Sequence, residues 1–154
     1  MLNEEIQAIA KESVLCWLAT VSSEGEPNVS PKEIWEIFHS KYIVVANIAS
    51  PISAKNIEAT SKACISFINL FSQKGFKVAG ECRNVGRESA EFGRFAKNLV
   101  LLAEPRFLVR SVFVLEPSSV TPILAPSYTF YPSEVSEESQ IAAAMREYGV
   151  KPST

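Results

Sequence analysis

Two short segments hold the side chains best suited to chemistry. In "SPISAKN", residues 50–56, a Ser-Pro helix start is followed by Ser53, Lys55 and Asn56. With Ser50 as N-cap and Pro51 in the first helical position, Ser53 falls in the first turn, where backbone N–H groups lack helical acceptors. Ser53 and Asn56 are three residues apart and share a helix face. Free N–H groups, the positive end of the helix dipole, a hydroxyl and an ammonium together suit a phosphate. The same residues also read as an ordinary capped helix, with Ser53 solvated and Lys55 on the surface. In "PNVSPKEIWE", residues 27–36, Ser30, Lys32, Ile34 and Glu36 share one strand face if the alternation survives Pro31. Lys32, set among prolines and apolar residues, either snorkels to water or contacts a bound anion or an electron-rich ring.

Other chemistries are excluded by what is missing. The chain has no aspartate and a single histidine, His39, in a turn-like "FHSK". An aspartic dyad, a Ser-His-Asp triad and a multi-histidine metal site are therefore out of reach. Gly80 and Gly86 lie inside a strand pattern and read as bulges, not as a phosphate loop. Glu81 and Arg83 read as a surface cross-link. The three cysteines, Cys16, Cys64 and Cys82, are far apart in apolar stretches and read as buried, reduced thiols of a cytoplasmic protein; only Cys82 has a basic neighbour, Arg83. Chemistry in such a chain falls to a bound cofactor.

With 154 residues, one domain spanning 1–154 is expected. The net charge of −2, with Lys and Arg scattered among Glu, argues against nucleic acid or an anionic membrane as partner. The acidic start "MLNEEIQAIAKES" lacks the apolar core of a signal peptide, and no apolar run reaches a membrane span.

The elements that must position these residues follow from periodicity. Asn3 caps a short helix with Ile6, Ile9 and Ala10 on its apolar face. Strands are predicted at 14–21 (buried on both faces), 28–38, 42–48, 63–70, 75–87 and 107–117, with a short seventh at 119–124. Helices are predicted at 51–60, at 90–103 with Phe92, Phe95, Leu99 and Leu102 inward, and at about 136–148. That last helix is capped by Ser136, turns Ile141, Met145 and Tyr148 inward, and ends at Gly149. In the tail before it, Phe130 and Tyr131 either dock on the sheet or cover a flat ligand. Strands dominate without βαβ alternation, so the pattern predicts a small antiparallel barrel with flanking helices, its core at about 14–125.

The order "WLATVSSEGEPNVSPKEIW", "YIVVANIASPISAKNI", "ACISFIN", "GFKVAGECR", over residues 14–86, resembles the pyridoxamine 5'-phosphate oxidase-like family of flavin-binding split barrels. The resemblance implies a mainly β split antiparallel barrel with flanking helices. It also implies a homodimer with FMN at the interface and exchange of electrons with a small-molecule donor or acceptor. Val29, Ser30 and Lys32 would line the flavin, with Lys32 facing the pyrimidine side of the ring. Ala46, Asn47 and Ile48 would run along its edge. Ser50, Ser53, Lys55 and Asn56 would hold the phosphate end. Many relatives carry a basic residue where this chain has Ile52. The chain is shorter than true pyridoxamine phosphate oxidases and lacks their C-terminal substrate pattern. The implied activity is thus an FMN-dependent oxidoreductase of unknown substrate. The alternatives are a non-catalytic flavin carrier or electron-transfer module, and a barrel binding a deazaflavin coenzyme or heme.

Overall fold

The structure is a computed structural model that describes residues 1–153; Thr154, the last residue of the expected domain, lies outside the described residues. In chain order the elements are α1 (Glu4–Glu12), β1 (Cys16–Val21), β2 (Pro27–Lys32), β3 (Trp35–Phe38), β4 (Tyr42–Asn47), α2 (Pro51–Thr60), β5 (Lys62–Asn69), β6 (Lys74–Gly86), α3 (Phe92–Ala103), β7 (Ser111–Leu124), α4 (Pro126–Phe130) and α5 (Glu137–Tyr148). All strands join one antiparallel sheet in the order β2-β1-β5-β6-β7-β4-β3. The sheet curls on itself. Side chains from strands far apart in that order meet in one core, which takes Leu18 from β1, Ile43 and Val45 from β4, Phe67 from β5 and Phe113 from β7. Trp35, on the edge strand β3, reaches across to Phe67 with ring centroids 5.1 Å apart.

A second apolar layer lies outside the barrel, where α3 packs on β4 and β7. Val44, Ala46, Val112 and Val114 point outward into Phe95, Ala96, Leu99 and Ala103. This explains the unbroken apolar run of β4: the strand is covered on both faces. β1 differs from expectation. Its burial alternates, and Trp17 is 44% exposed, because no helix covers its outer face.

The predicted strand 28–38 is two strands at opposite edges of the sheet. β2 pairs with β1, and β3 pairs with β4. Residues 33 and 34 between them let the chain leave one edge and join the other. Pro31 sits in edge strand β2, where its missing N–H breaks no ladder. The predicted strands 107–117 and 119–124 merge into one long strand, β7, which begins at Ser111 and leaves residues 107–110 ahead of it. The register shift that allows this is a bulge at Ser118 of β7, opposite Ala79 and Gly80 of β6. A Cβ on Gly80 would lie 2.0 Å from the Glu116 carbonyl oxygen, so only glycine admits that approach. Gly86, also expected at a bulge, closes β6 in regular register with Ser111.

The predicted turn at His39 is a tight β3–β4 hairpin. His39 and Ser40 take φ of 51° and 56°, and the Lys41 N–H donates to the Phe38 carbonyl at 3.1 Å. Asn3 and Ser136 cap their helices as expected. On α3 the inward side is Phe95, Ala96, Leu99 and Ala103, and Leu102 is exposed. On α5 the buried residue is Ala144, flanked by half-buried Ile141 and Met145, while Tyr148 is exposed. Phe130 and Tyr131 are exposed too, neither docked on the sheet nor covering a hollow. No helix among the described residues is long and apolar enough to cross a membrane.

Candidate functional site

The sheet brings the two segments singled out in the sequence side by side. On β2, Asn28, Ser30 and Lys32 pair with Thr20, Leu18 and Cys16 of β1 and face the start of α2. Val29 and Pro31 face the other way; Val29, expected at the site, is 61% exposed on the outer surface. The alternation thus survives Pro31 but ends at Lys32, and Glu36 belongs to a different edge.

Ser53 is buried under this face. Its Oγ accepts from Asn28 Nδ2 at 3.3 Å and lies 3.5 Å from Ser30 Oγ. Asn56 is also buried, but its amide is spent inside: Nδ2 donates to Thr20 Oγ1 at 3.1 Å. Thr20 Oγ1 accepts from Asn28 Nδ2 as well, at 3.3 Å. Thr20 is therefore a hub joining β1, β2 and α2, and it pins the helix start to the sheet. Lys55 is exposed and does not enter the cluster.

Ser50 occupies the N-cap position without capping. Its side chain makes no cap hydrogen bond and instead accepts from Lys32 Nζ. Pro51 has no N–H, so the first-turn N–H groups of Ile52 and Ser53 are left without a side-chain cap. The turn that delivers Ser50 is built by Asn47. Its Oδ1 accepts from the Ser50 N–H at 3.1 Å, and its Nδ2 donates to Ser111 Oγ at 2.8 Å. The Asn47 side chain thus shapes the connection from within and is unavailable to a ligand.

Two hollows meet at Ala49 and Ser50. One, of about 170 Å³, is lined by Asn28, Ser30 and Ser53 with Pro51 and Ile52. The other, of about 270 Å³, is lined by Ile34, Ala46, Ile48 and Phe107, with Lys32 and Glu33. Burial lowers the Lys32 ammonium below its ordinary value, partly offset by the facing Cys16. Cys16 and Cys82 are buried and each is pushed up to about 12, so both are protonated thiols; the Arg83 beside Cys82 is outweighed by burial. Arg83 does not bridge to Glu81. It pairs with Glu91, its Nη2 donating to Oε1 at 3.1 Å. Cys64 is only half-buried.

Of the expected residues, the fold gathers Ser30, Lys32, Ala46, Ile48, Ser50 and Ser53 around the joined hollows. It turns Val29 and Lys55 outward, and uses Asn47 and Asn56 as internal struts. Sequence reading missed Asn28, Thr20 and Phe107. Asn28 carried a signal, since it is in step with Ser30 and Lys32. Phe107 carried none, because only the packing of α3 brings it to β4.

A curled antiparallel sheet of this order, with a helix start set against its edge, is a split barrel. The family model described as pyridoxamine 5'-phosphate oxidase matches residues 2–123, and the chain belongs to that family. Solved structures share the fold at low identity. HupZ of Group A Streptococcus is 21% identical, with a TM-score of 0.69 over 81% of this chain and 96% of that one. An FMN-binding protein from Syntrophomonas wolfei is 20% identical, with a TM-score of 0.67 over 80% and 87%. HutZ, the heme storage protein of Vibrio cholerae, is 24% identical, with a TM-score of 0.52 over 80% and 94%. No curated protein sequence matches this chain.

Proposed function

We propose that the joined hollows hold FMN, and that the chain is a cytoplasmic homodimeric flavoprotein exchanging electrons with a small-molecule donor or acceptor. The observation that carries this is a hollow at an uncapped helix start, where the Ser30 and Ser53 side chains converge, joined to a hollow along β4 lined by Ile34, Ala46, Ile48 and Phe107. One suits a phosphate and the other a flat ring. Ser30 and Ser53 hydroxyls and the first-turn N–H groups would hold the phosphate. Ala46 and Ile48 would flank the ring. Lys32 would sit on its pyrimidine side, where a cation stabilises the negative charge of the reduced state. When bound, FMN supplies the hydride and one-electron chemistry; the chain's own residues bind, orient and set the local charge. Lys55, exposed, would act only as a long-range charge, and Ile52 contributes none.

Heme is the weaker reading. His39 lines neither hollow, and the buried thiols of Cys16 and Cys82 are held protonated.

The test is uptake of FMN at micromolar concentration, followed by visible absorption and equilibrium dialysis. The expected result is one FMN per chain with a perturbed flavin band. No uptake overturns the reading. Steady-state turnover with a reduced nicotinamide nucleotide then separates an oxidoreductase from a carrier.

A further inference from the structure

We propose that Arg106, Phe107 and Arg110 form a subsite for a flat aromatic ligand bearing a carboxylate or phosphate, at the lip of the hollow along β4. The inference rests on the flavin reading, because such a ligand would stack where the ring lies. Phe107 lines the hollow beside Ile34, Ala46 and Ile48, yet it is 45% exposed, a large apolar face left bare at the rim. The Arg106 guanidinium lies 5.3 Å from the centroid of its ring. Arg110 is tied to the strand end that would flank the flavin. Its backbone N–H donates to the Asn47 carbonyl at 2.9 Å, and its Nε donates to the Ile48 carbonyl at 3.1 Å.

That tether fixes the guanidinium and leaves its terminal N–H donors for an anion. The neighbouring arginines are spent differently: Arg83 pairs with Glu91, and Arg87 with Glu104. Neither Arg106 nor Arg110 takes part in an ion pair among the described residues. The carboxylate lining this hollow is Glu33, from the β2–β3 connection. Lys32 lines the same wall and offsets its charge. The selection therefore rests on the aromatic face and the two guanidiniums, which together suit an aromatic acid.

The experiment uses full-length protein whose FMN uptake is measured first. The loaded protein is titrated with 2-naphthoate and, separately, with 2-naphthamide, which share a ring system and differ in charge, and the flavin band is followed. Naphthoate is expected to bind about tenfold tighter, the worth of one charged contact. In the Arg106→Gln/Arg110→Gln double variant, titrated at saturating FMN, the two ligands should bind alike. Equal binding by the wild type, a preference that survives in the double variant, or binding of neither ligand overturns the subsite while leaving the flavin reading intact. Failure of FMN uptake overturns the flavin reading and the subsite with it.

Discussion

Lys32 and Ser53 divide the candidate site between them, and each has its own expected signature. Lys32 is half-buried, its charge disfavoured by burial, and it is held by Ser50. A charged hydrogen bond formed chiefly with reduced flavin contributes roughly 1.5–3 kcal/mol. For a two-electron couple that is roughly 30–60 mV. Lys32→Met should therefore lower the bound flavin's potential by that amount in a redox titration, with a smaller change in affinity; an unchanged potential would assign Lys32 to phosphate or solvent. Ser53→Ala should weaken FMN about tenfold while changing riboflavin little, because only FMN carries the phosphate. Equal losses would move the phosphate elsewhere. The thiols give a pH prediction. Cys16 and Cys82 ionise near an ordinary 9.0 when unfolded but only near about 12 when folded. Between those values the native state binds more protons than the unfolded one, so stability present below pH 9 is lost as pH rises toward 12. Denaturation midpoints should fall across that window, and less steeply in Cys16→Val. Near neutral pH a thiol reagent should modify half-buried Cys64 and spare the other two.

Among the elements, the start of α2 depends on Thr20. Its hydroxyl accepts from both Asn28 and Asn56, so Thr20→Val strands the Asn56 amide and leaves Asn28 only Ser53 as acceptor. A loss of about 1–3 kcal/mol is expected in chemical denaturation. Thr20→Ser should stay close to the wild type; a comparable loss there would point to the methyl group and packing. The β7 bulge opposite Gly80 gives a second case. Gly80→Ala places a Cβ against the Glu116 carbonyl, and a loss of about 1–3 kcal/mol is expected from the forced shift. Retained stability would mean that β7 can shift at the bulge.

For the homodimer proposed above, the outer face of β1, β2 and β5 is the expected seat of a second copy. Val29 lies beside Ala19, which lies beside Cys64, and Trp17 adjoins both Pro31 and Ser66. Trp17 and Val29 are large apolar groups exposed on this outer face. Light scattering is expected to give about twice the chain mass, and Val29→Glu should halve it. A wild-type monomer, or a Val29→Glu dimer, would place the contact elsewhere. Val29 faces away from the hollow on the far side of its strand.

The sequence by itself determined what depends on neighbours along the chain. Asn3 and Ser136 announced two helix caps, "FHSK" a turn and the alternation of β6 a half-covered strand, because capping and pleat are local rules. The order of motifs determined the family and the split barrel. What only the tertiary structure decided is where strands end and which faces are covered. Nothing local shows that residues 28–38 divide between two sheet edges, since both halves have strand chemistry and the break follows from curling the sheet. Ser50, Ser53 and Asn56 look alike as polar residues at a helix start. Lys32 claims the first, the hollow at the helix start receives the second and Thr20 ties down the third, all across contacts distant in sequence. The same distance hid Phe107 and Arg110, which reach the strand end at Asn47 and Ile48 only through the pairing of β4 with β7 and the packing of α3 against them.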